Sequence, residues 1–528
     1  MAIKNTDEYI DSHLAIAEKY GKPVVLEEFG FPRDGFKFAQ GSPTRSRDRY
    51  YRHVFNRIVE SAREGGLFAG LNFWGWGGLA SQSETNIFWR PGDDYCGDPA
   101  QEQQGLNSVY AGDISTLWVI KRAADQIEKA LLPSVNFDYE GNDGIFENEG
   151  KNNLDFTVNA VKAYEGELEL VLSTDFGDTV DTQRARCDLG EGEKEFSFEL
   201  DLVPGFYSAV VNFIDKDGNC VELGRTNIGC APEKISSPQD KQPDFDEFWS
   251  RTLDELAAVA PEYRMTLLEE HSNDVRRSYR VDMKSLGGEP VSGLLVMPVK
   301  EGKYPAMIHY MGYGSDVWYA DPSSNPEMID FTLCVRNQAM NRKPGEDSDW
   351  CTRGLEDKET YYYRGAFADA VRAVDFVCSL EKTDLSRVFA EGESQGGALT
   401  LAAASLDHRF KAIVASAPFL NDYRDYFSLV GWPGGPIIGY AKENGISDED
   451  MYRTLSYFDI KNFTDKIECP MLMAVGLQDV TCPPHTNFAG YNHIKTDKKW
   501  ICYPHSGHNV WQQPQWPGAR EEYFKGYL

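Results

Sequence analysis

The pentapeptide GESQG at residues 392–396 constrains the fold of this chain more than any other feature of its sequence. It follows an apolar run at 387–390 that predicts a strand, and it precedes the run ALTLAAA at 398–404, which predicts a helix. A serine flanked by glycines at a strand-to-helix turn is typical of a nucleophile elbow. We therefore expect an α/β fold in which Ser394 stands at the carboxyl edge of a sheet.

Such an elbow needs two partners, because a serine hydroxyl is a weak nucleophile until a base, itself oriented by a carboxylate, takes its proton. Candidates follow Ser394 in the order found in α/β-hydrolases. Asp479 lies just after a predicted core strand, and His508 follows the last predicted strand. His505 lies on the same loop and competes for the role of base, but Gly507 gives the loop freedom to aim His508, which we favour.

The patterning changes twice along the 528 residues, which are too many for one ordinary core. Residues 1–131 alternate predicted helices and strands, which indicates parallel strands. Residues 132–232 show period-two runs with a hairpin turn at Asp217-Gly218, which predicts a small antiparallel, Ig-like β-sandwich acting as a spacer, with glycan binding as the alternative. Residues 233–528 predict a doubly wound α/β-hydrolase domain. The chain is therefore expected to be multidomain.

Charge and composition exclude several classes of partner. Lys and Arg number 53 against 83 Asp and Glu, and the net charge of −30 repels phosphate backbones and anionic lipid surfaces. No apolar stretch is long enough to span a membrane. We therefore expect no nucleic-acid partner, no membrane partner and a neutral or cationic substrate. The ten cysteines and nine histidines lack zinc-binding spacing, so we expect no metal and mostly buried free thiols.

The third region resembles carbohydrate esterase family seven, the acetyl xylan esterases and cephalosporin C deacetylases. The resemblance covers residues 239–528 and implies a triad of Ser394, Asp479 and His508. It also implies that the backbone N–H groups of Gln395 and Tyr313 form the oxyanion hole. The ordered matches that carry it are DFDEFW at 244–249, YYRG at 362–365, DAVRAV at 369–374, the elbow with its glutamine, RTLSYFD at 453–459, Cys469-Pro470, GLQD at 476–479, CPP at 482–484 and Gly507-His508.

This resemblance implies a serine carboxylesterase that removes O-acetyl groups from plant-polysaccharide sugars through an acyl-enzyme and without a cofactor. It also implies assembly into a homo-oligomer. There are three departures from the family pattern: Asn337 within the family's Arg-Gly-Gln, Met311 within its HGY loop, and Asn509 after the triad histidine. The first two touch loops that shape the active-site mouth, which leaves substrate preference open. Other acyl or peptide specificity and non-catalytic glycan binding remain as alternatives. We expect the region from about residue 235 onward to be active alone.

Residues 1–131 resemble the last two β/α units of a glycoside hydrolase family five barrel, in its endo-β-mannanase branch. The resemblance implies that Glu28 corresponds to the nucleophile and Trp74 to a sugar platform. A complete barrel needs about 250 residues and retaining hydrolysis needs two carboxyl groups, so we interpret Glu28 as a relic. The matches are LEEFG at 26–30, NFWGW at 72–76, PGDDY at 91–95, GDP at 97–99 and EQQGLNS at 102–108.

The partial barrel also suggests a biological setting. We expect the sequence to begin inside a longer gene product whose front would carry an export signal, since no signal peptide is readable at residue 1. An extracellular or periplasmic location is then expected. An esterase joined to a mannanase would remove acetyl groups that block backbone cleavage, which makes acetylated mannan the first expected substrate and acetylated xylan the second.

Overall fold

The first region contains two small parallel sheets of two strands each, together with three helices. The computed structural model describes residues 2–82, 87–139, 141–345 and 348–528. Val24 pairs with Phe68 in a parallel ladder, and Phe29, Tyr51 and Val54 belong to the core beneath it. The predicted alternation of helices and parallel strands is therefore present. The elements are α1 (Ala2–Tyr20), β1 (Val24–Phe29), α2 (Arg45–Arg63), β2 (Phe68–Phe73), β3 (Trp76–Gly78), β4 (Val109–Tyr110) and α3 (Ile114–Ala130).

The middle region consists of two sheets that share one hydrophobic core, to which Leu154, Leu170 and Leu200 contribute. One sheet has the order β10-β7-β5 and the other β6-β12-β11-β8-β9. Gly218 has φ of 86° in the predicted hairpin turn between β11 and β12. The strands are β5 (Ser134–Phe137), β6 (Ile145–Phe146), β7 (Gly150–Ala160), β8 (Tyr164–Thr174), β9 (Thr179–Leu189), β10 (Gly192–Leu202), β11 (Gly205–Asp215) and β12 (Cys220–Cys230).

The third region is built on a nine-stranded sheet with the order β13-β14-β15-β17-β16-β18-β19-β20-β21. Its first strands pair antiparallel, and β17, β16 and all later strands pair parallel. The elements are α4 (Phe245–Ala258), β13 (Arg264–Leu267), β14 (Arg276–Lys284), β15 (Pro290–Pro298), β16 (Tyr304–Tyr310), β17 (Ile329–Cys334), α5 (Tyr362–Ser379), β18 (Thr383–Glu393), α6 (Gln395–Leu406), β19 (Ala412–Ser416), α7 (Tyr423–Leu429), α8 (Gly434–Glu443), α9 (Asp448–Ser456), β20 (Met471–Gly476), α10 (Pro484–Tyr491), β21 (Lys498–Tyr503) and α11 (Trp516–Lys525).

The parallel half of this sheet brings the predicted site residues to one edge. The strands β16, β18, β20 and β21 end at residues 310, 393, 476 and 503, and the loops that carry Tyr313, Ser394, Asp479 and His508 follow these ends. Carboxyl ends of parallel strands meet at the same edge of a sheet, where open α/β folds bind their ligands. Residues that lie far apart in sequence therefore lie on neighbouring loops.

The middle and third regions also share packed side chains. Ile145 on β6 and Phe206 on β11 belong to the main hydrophobic core of the third region. The Phe206 ring centroid lies 5.9 Å from that of Phe488 on α10. No local sequence pattern indicates this contact, because both aromatic residues occur in runs that look like ordinary core strands or helices.

Candidate active site

Ser394 occupies a strained turn between β18 and α6. Its φ of 55° and ψ of −118° lie outside the regions that L-residues prefer, as a nucleophile elbow requires. Glycines make the tight crossing possible: a Cβ on Gly396 would lie 2.0 Å from the Tyr310 carbonyl oxygen, and one on Gly392 would lie 2.3 Å from the carbonyl carbon of Gly396. The Ser394 N–H donates to the Ser416 carbonyl, 2.9 Å away, which ties the turn to β19.

Asp479 and His508 form a hydrogen-bonded pair. His508 Nδ1 lies 2.9 Å from Asp479 Oδ2. The other carboxylate oxygen, Oδ1, accepts the backbone N–H groups of Thr481 and Cys482 at 2.7 and 2.9 Å. These donors satisfy a carboxylate whose side chain is only 1% exposed. Because a carboxylate can only accept, the His508 proton belongs on Nδ1, and Nε2 is free to act as a base.

Ser394 and His508 line the same cavity, which has a volume of about 550 Å³. No hydrogen bond joins the Ser394 hydroxyl to the His508 ring in the described residues. Catalytic hydrogen bonds are often long before substrate binds, so this arrangement is compatible with a serine–histidine pair.

His505, the competing histidine, lies in a different environment. It is exposed, and its ring centroid lies 4.7 Å from that of Tyr139 in the middle region. His508, and not His505, pairs with Asp479. The geometry therefore favours His508 as the base.

The predicted oxyanion donors lie on two loops that a pair of glutamines connects. Gln338 Nε2 donates to Gln395 Oε1 at 3.0 Å, and Gln338 Oε1 accepts the Gly314 N–H at 3.1 Å. Gln395 Nε2 in turn donates to the Met311 carbonyl at 3.4 Å. Within the described part of the chain, neither the Tyr313 N–H nor the Gln395 N–H donates to a protein acceptor. Both are therefore free for a negatively charged oxygen.

Several other residues that line this cavity could not be identified from sequence motifs. Trp318 and Trp511 present partly exposed rings, and Trp516 is buried in the wall. Glu393 and Arg520 add charged groups beside the serine. Of these residues, only Glu393 belongs to a recognised motif, as the variable residue before the serine of GESQG. The others reach the cavity from distant loops and from α11, so no local motif indicates them.

An ionic network forms part of the cavity wall. The His309 ring contacts Glu391 at 2.8 Å and Asp330 at 2.9 Å, and Arg520 contacts Glu391 at 2.9 Å. Burial alone would lower the pKa of His309, but the two carboxylates outweigh it and raise the pKa to about 9, so the ring is protonated at neutral pH. Burial, with the negative charge of Glu391, raises the pKa of Glu393 to about 7.

Glu28 and Trp74 lie in the first region, and neither lines the cavity that Ser394 faces. Glu28 is exposed near the end of β1, and half-buried Trp74 donates from Nε1 to Asp98 Oδ1 at 3.2 Å. Within residues 2–82, 87–139, 141–345 and 348–528, no cluster of three or more His, Cys, Asp and Glu is placed to hold a metal ion. No helix in these ranges is long and apolar enough to cross a membrane.

Comparison with known proteins identifies two families along the chain. Residues 233–517 match the family model of acetyl xylan esterases (AXE1), and residues 1–131 match that of glycoside hydrolase family 5 β-mannosidase-like proteins. Acetyl esterase Axe7A from Xylanibacter ruminicola is 29% identical over 373 residues, which span 66% of this chain and 79% of that protein.

Two solved structures resemble the third region. The acetyl xylan esterase from Paenibacillus sp. R4 is 31% identical and covers 56% of this chain and 98% of its own, with a TM-score of 0.52. Acetyl xylan esterase 1 from Thermoanaerobacterium sp. JW/SL YS485 is 28% identical with the same coverage and a TM-score of 0.51. Since the family model matches more than half of the residues, this chain belongs to the acetyl xylan esterase family and is a carbohydrate esterase.

Proposed function

We propose that this protein removes O-acetyl groups from plant-polysaccharide sugars by a serine mechanism. The observation that carries the proposal is the strained Ser394 turn in the same cavity as a histidine held by a buried aspartate. This combination is the constellation that generates a serine nucleophile.

In this mechanism, Ser394 Oγ attacks the acetyl carbonyl carbon while His508 Nε2 takes the hydroxyl proton. The N–H groups of Gln395 and Tyr313 hold the oxyanion of the tetrahedral intermediate. His508 then gives its proton to the departing sugar oxygen, which leaves an acetyl-enzyme. A water that His508 deprotonates releases acetate and restores the serine, and Asp479 stabilises the imidazolium in both steps.

The cavity suits an acetylated sugar. Tryptophan faces bind the apolar face of a pyranose ring, while a carboxyl group and a guanidinium accept and donate hydrogen bonds to its hydroxyls. Trp318, Trp511, Glu393 and Arg520 supply these groups beside Ser394. The mannosidase-like first region favours acetylated mannan as the first natural substrate and acetylated xylan as the second.

We further infer that residues 1–131, 132–232 and 233–528 are separate domains: a two-unit fragment of a (β/α)₈ barrel, an Ig-like β-sandwich and the esterase. In this interpretation Glu28 and Trp74 are relics, because one carboxylate cannot serve as both nucleophile and independently placed acid. Release of reducing sugar from deacetylated mannan by the full chain would contradict this interpretation.

The decisive test is acetate release from acetylated mannan, xylan and pectin by the wild type and by Ser394→Ala. We expect release from mannan and xylan and a kcat lowered by roughly 10⁴–10⁶-fold in the variant. Ser405→Ala is the matched control: the hydroxyl of this buried serine on α6 donates to the Leu401 carbonyl at 2.8 Å, and its loss should leave kcat unchanged. Retention of more than about a tenth of activity in Ser394→Ala would remove the serine from its role.

A series of p-nitrophenyl esters with longer acyl chains separates this function from other acyl specificities. We expect acetate to be the best acyl group. A preference for long acyl chains or for peptides would identify a different hydrolase activity, and absence of any turnover by the wild type would favour a glycan-binding protein.

A further inference from the structure

Gln478, the residue before Asp479, joins three parts of the molecule. Its Oε1 accepts the backbone N–H of Asn227 on β12 at 3.0 Å. Its Nε2 donates to the Pro504 carbonyl, on the loop that carries His508, at 2.9 Å. Its backbone N–H donates to the Ser506 carbonyl at 2.9 Å. One side chain therefore links the aspartate loop, the histidine loop and the middle region.

The middle region also contacts Leu477, the residue before Gln478. Asn227 Nδ2 donates to the Leu477 carbonyl at 3.2 Å, and Leu477 is fully buried. Gly144 lies directly against the Leu477 side chain, since a Cβ there would come within 2.5 Å of Leu477 Cδ2. The ring of Tyr139 packs on His505. The loops that carry Asp479 and His508 thus rest on the middle region.

A second contact holds the chain on the other side of Asp479. His485, on α10, lies 2.8 Å from Asp175 of the middle region, and its other ring nitrogen lies 3.5 Å from Asp425. The ring of Phe176 packs edge-on against His485 at 5.2 Å. Burial lowers the pKa of His485, but the two carboxylates outweigh it and raise the pKa to about 9, so this contact is an ion pair at neutral pH.

The match with Axe7A is longer than the esterase region alone. Residues 233–528 make up only about 56% of the chain, whereas the match with Axe7A spans 66% of it. The similarity must therefore extend beyond the esterase region. A two-sheet region that served only as a spacer would need no such hydrogen bonds to a catalytic loop.

We propose that residues 132–232 are a working part of the esterase, in which Asn227 and Gln478 are positioning residues for the Asp479–His508 pair. The inference rests on the proposed serine mechanism. A displacement of about 1 Å in a catalytic group can cost on the order of 10²-fold in rate, so loss of one anchoring bond should be visible in kcat.

The test compares Asn227→Ala and Gln478→Leu with the wild type on p-nitrophenyl acetate, well below the unfolding temperature of each protein. We expect kcat to fall about tenfold or more in each variant, with KM changed less than twofold. Asn212→Ala is the matched control, because this asparagine on β11 bonds Glu169 within its own sheet. It should match the wild type in kcat.

A double-substitution cycle separates positioning from a merely structural role. In the Asp479→Asn background, Gln478→Leu should cause no further loss of kcat, because the pair it positions is already disabled. Full additivity of the two losses would overturn the proposal, as would wild-type kcat in both single variants. Absence of Ser394-dependent turnover in the wild type would instead defeat the proposed function, so the two failures are distinguishable.

Discussion

At the scale of single residues, charged side chains line the cavity beside Ser394, the proposed nucleophile. Glu393 immediately precedes Ser394 and faces the same cavity as His508 and Arg520. Its raised pKa means that the group changes charge near neutral pH, where the enzyme would work. Sequence reasoning found the serine because the motif is local, but two of the charged groups that act on Glu393 come from distant parts of the chain: Arg520 from α11 and His508 from the loop after β21.

Replacement of Glu393 should make stability less dependent on pH. The pKa of this group is 4.5 in the unfolded chain and about 7 in the fold, so between these values the folded state binds more protons. The contribution of Glu393 to wild-type stability should therefore fall as pH rises from 4.5 to 7 and level off above that. Glu393→Gln should raise the melting temperature at pH 8 and leave it nearly unchanged at pH 5.

The same variant should alter the pH profile of activity. Ionised Glu393 puts a negative charge next to the position where the oxyanion develops, which opposes that step. The ratio of kcat/KM of Glu393→Gln to that of the wild type should therefore rise as pH passes through 7. A constant ratio between pH 5 and 9 would show that the carboxyl group does not act on the reaction.

The two loop histidines give a second residue-level prediction. His508→Ala should lower kcat about as much as the serine substitution, because it removes the base that Asp479 orients. His505→Ala should retain kcat within a few-fold, since its ring packs on Tyr139 and does not contact the pair. Steady-state kinetics on p-nitrophenyl acetate measure both, and the opposite ranking would assign the base to His505.

At the scale of secondary-structure elements, the parallel strands were predictable and the antiparallel ones less so. β16, β19 and β20 are buried along their whole length and appear as continuous apolar runs. β9 buries only Cys187 and Leu189, and its other residues are mostly polar, so it produced no clear signal. The candidate triad residues could be predicted because each directly follows a predicted strand. Trp318 and Arg520 could not, because tertiary packing that no local pattern encodes brings them to the cavity.

The elbow itself provides a prediction at this scale. Gly396→Ala should abolish activity or folding, because its Cβ would lie 2.0 Å from the Tyr310 carbonyl oxygen, and backbone cannot yield as a side-chain end can. Gly439→Ala in the middle of α8 is the control: none of the other described residues lies within 4 Å of its Cβ, and the helix should gain about 0.5–1 kcal/mol. Thermal unfolding and acetate release are measured together. An active, stable Gly396→Ala protein would contradict the elbow geometry.

At the scale of the whole molecule, ionic contacts join regions that the sequence pattern separates. The unfolded pKa of His485 is 6.5 and its folded pKa about 9, so the ion pair with Asp175 contributes its full stability below pH 6.5 and loses it as pH rises through 9. Asp175→Asn should therefore lower the melting temperature at pH 6 but hardly at pH 10. Asp178→Asn, on the same turn, should have no pH-dependent effect.

Truncation tests how many regions the esterase needs. Residues from about 235 onward contain Ser394, Asp479 and His508, and the sequence alone predicts that they are active without the rest of the chain. Removal of residues 1–232, however, uncovers the core surfaces that Ile145 and Phe206 cover and frees the loop at Gln478. We therefore now expect residues 132–528 to keep kcat within about twofold of the full chain.

The shorter piece, residues 233–528, should melt at a lower temperature and lose at least tenfold in kcat, because newly exposed apolar surface costs roughly 25 cal/mol per Å² and the Asp479 loop loses its anchors. Acetate release by the full chain, by 132–528 and by 233–528 should be measured at one temperature where all three are folded. Equal kcat in all three would show that the two-sheet region is only a spacer. A loss already present in 132–528 would place the supporting contacts in residues 1–131 instead.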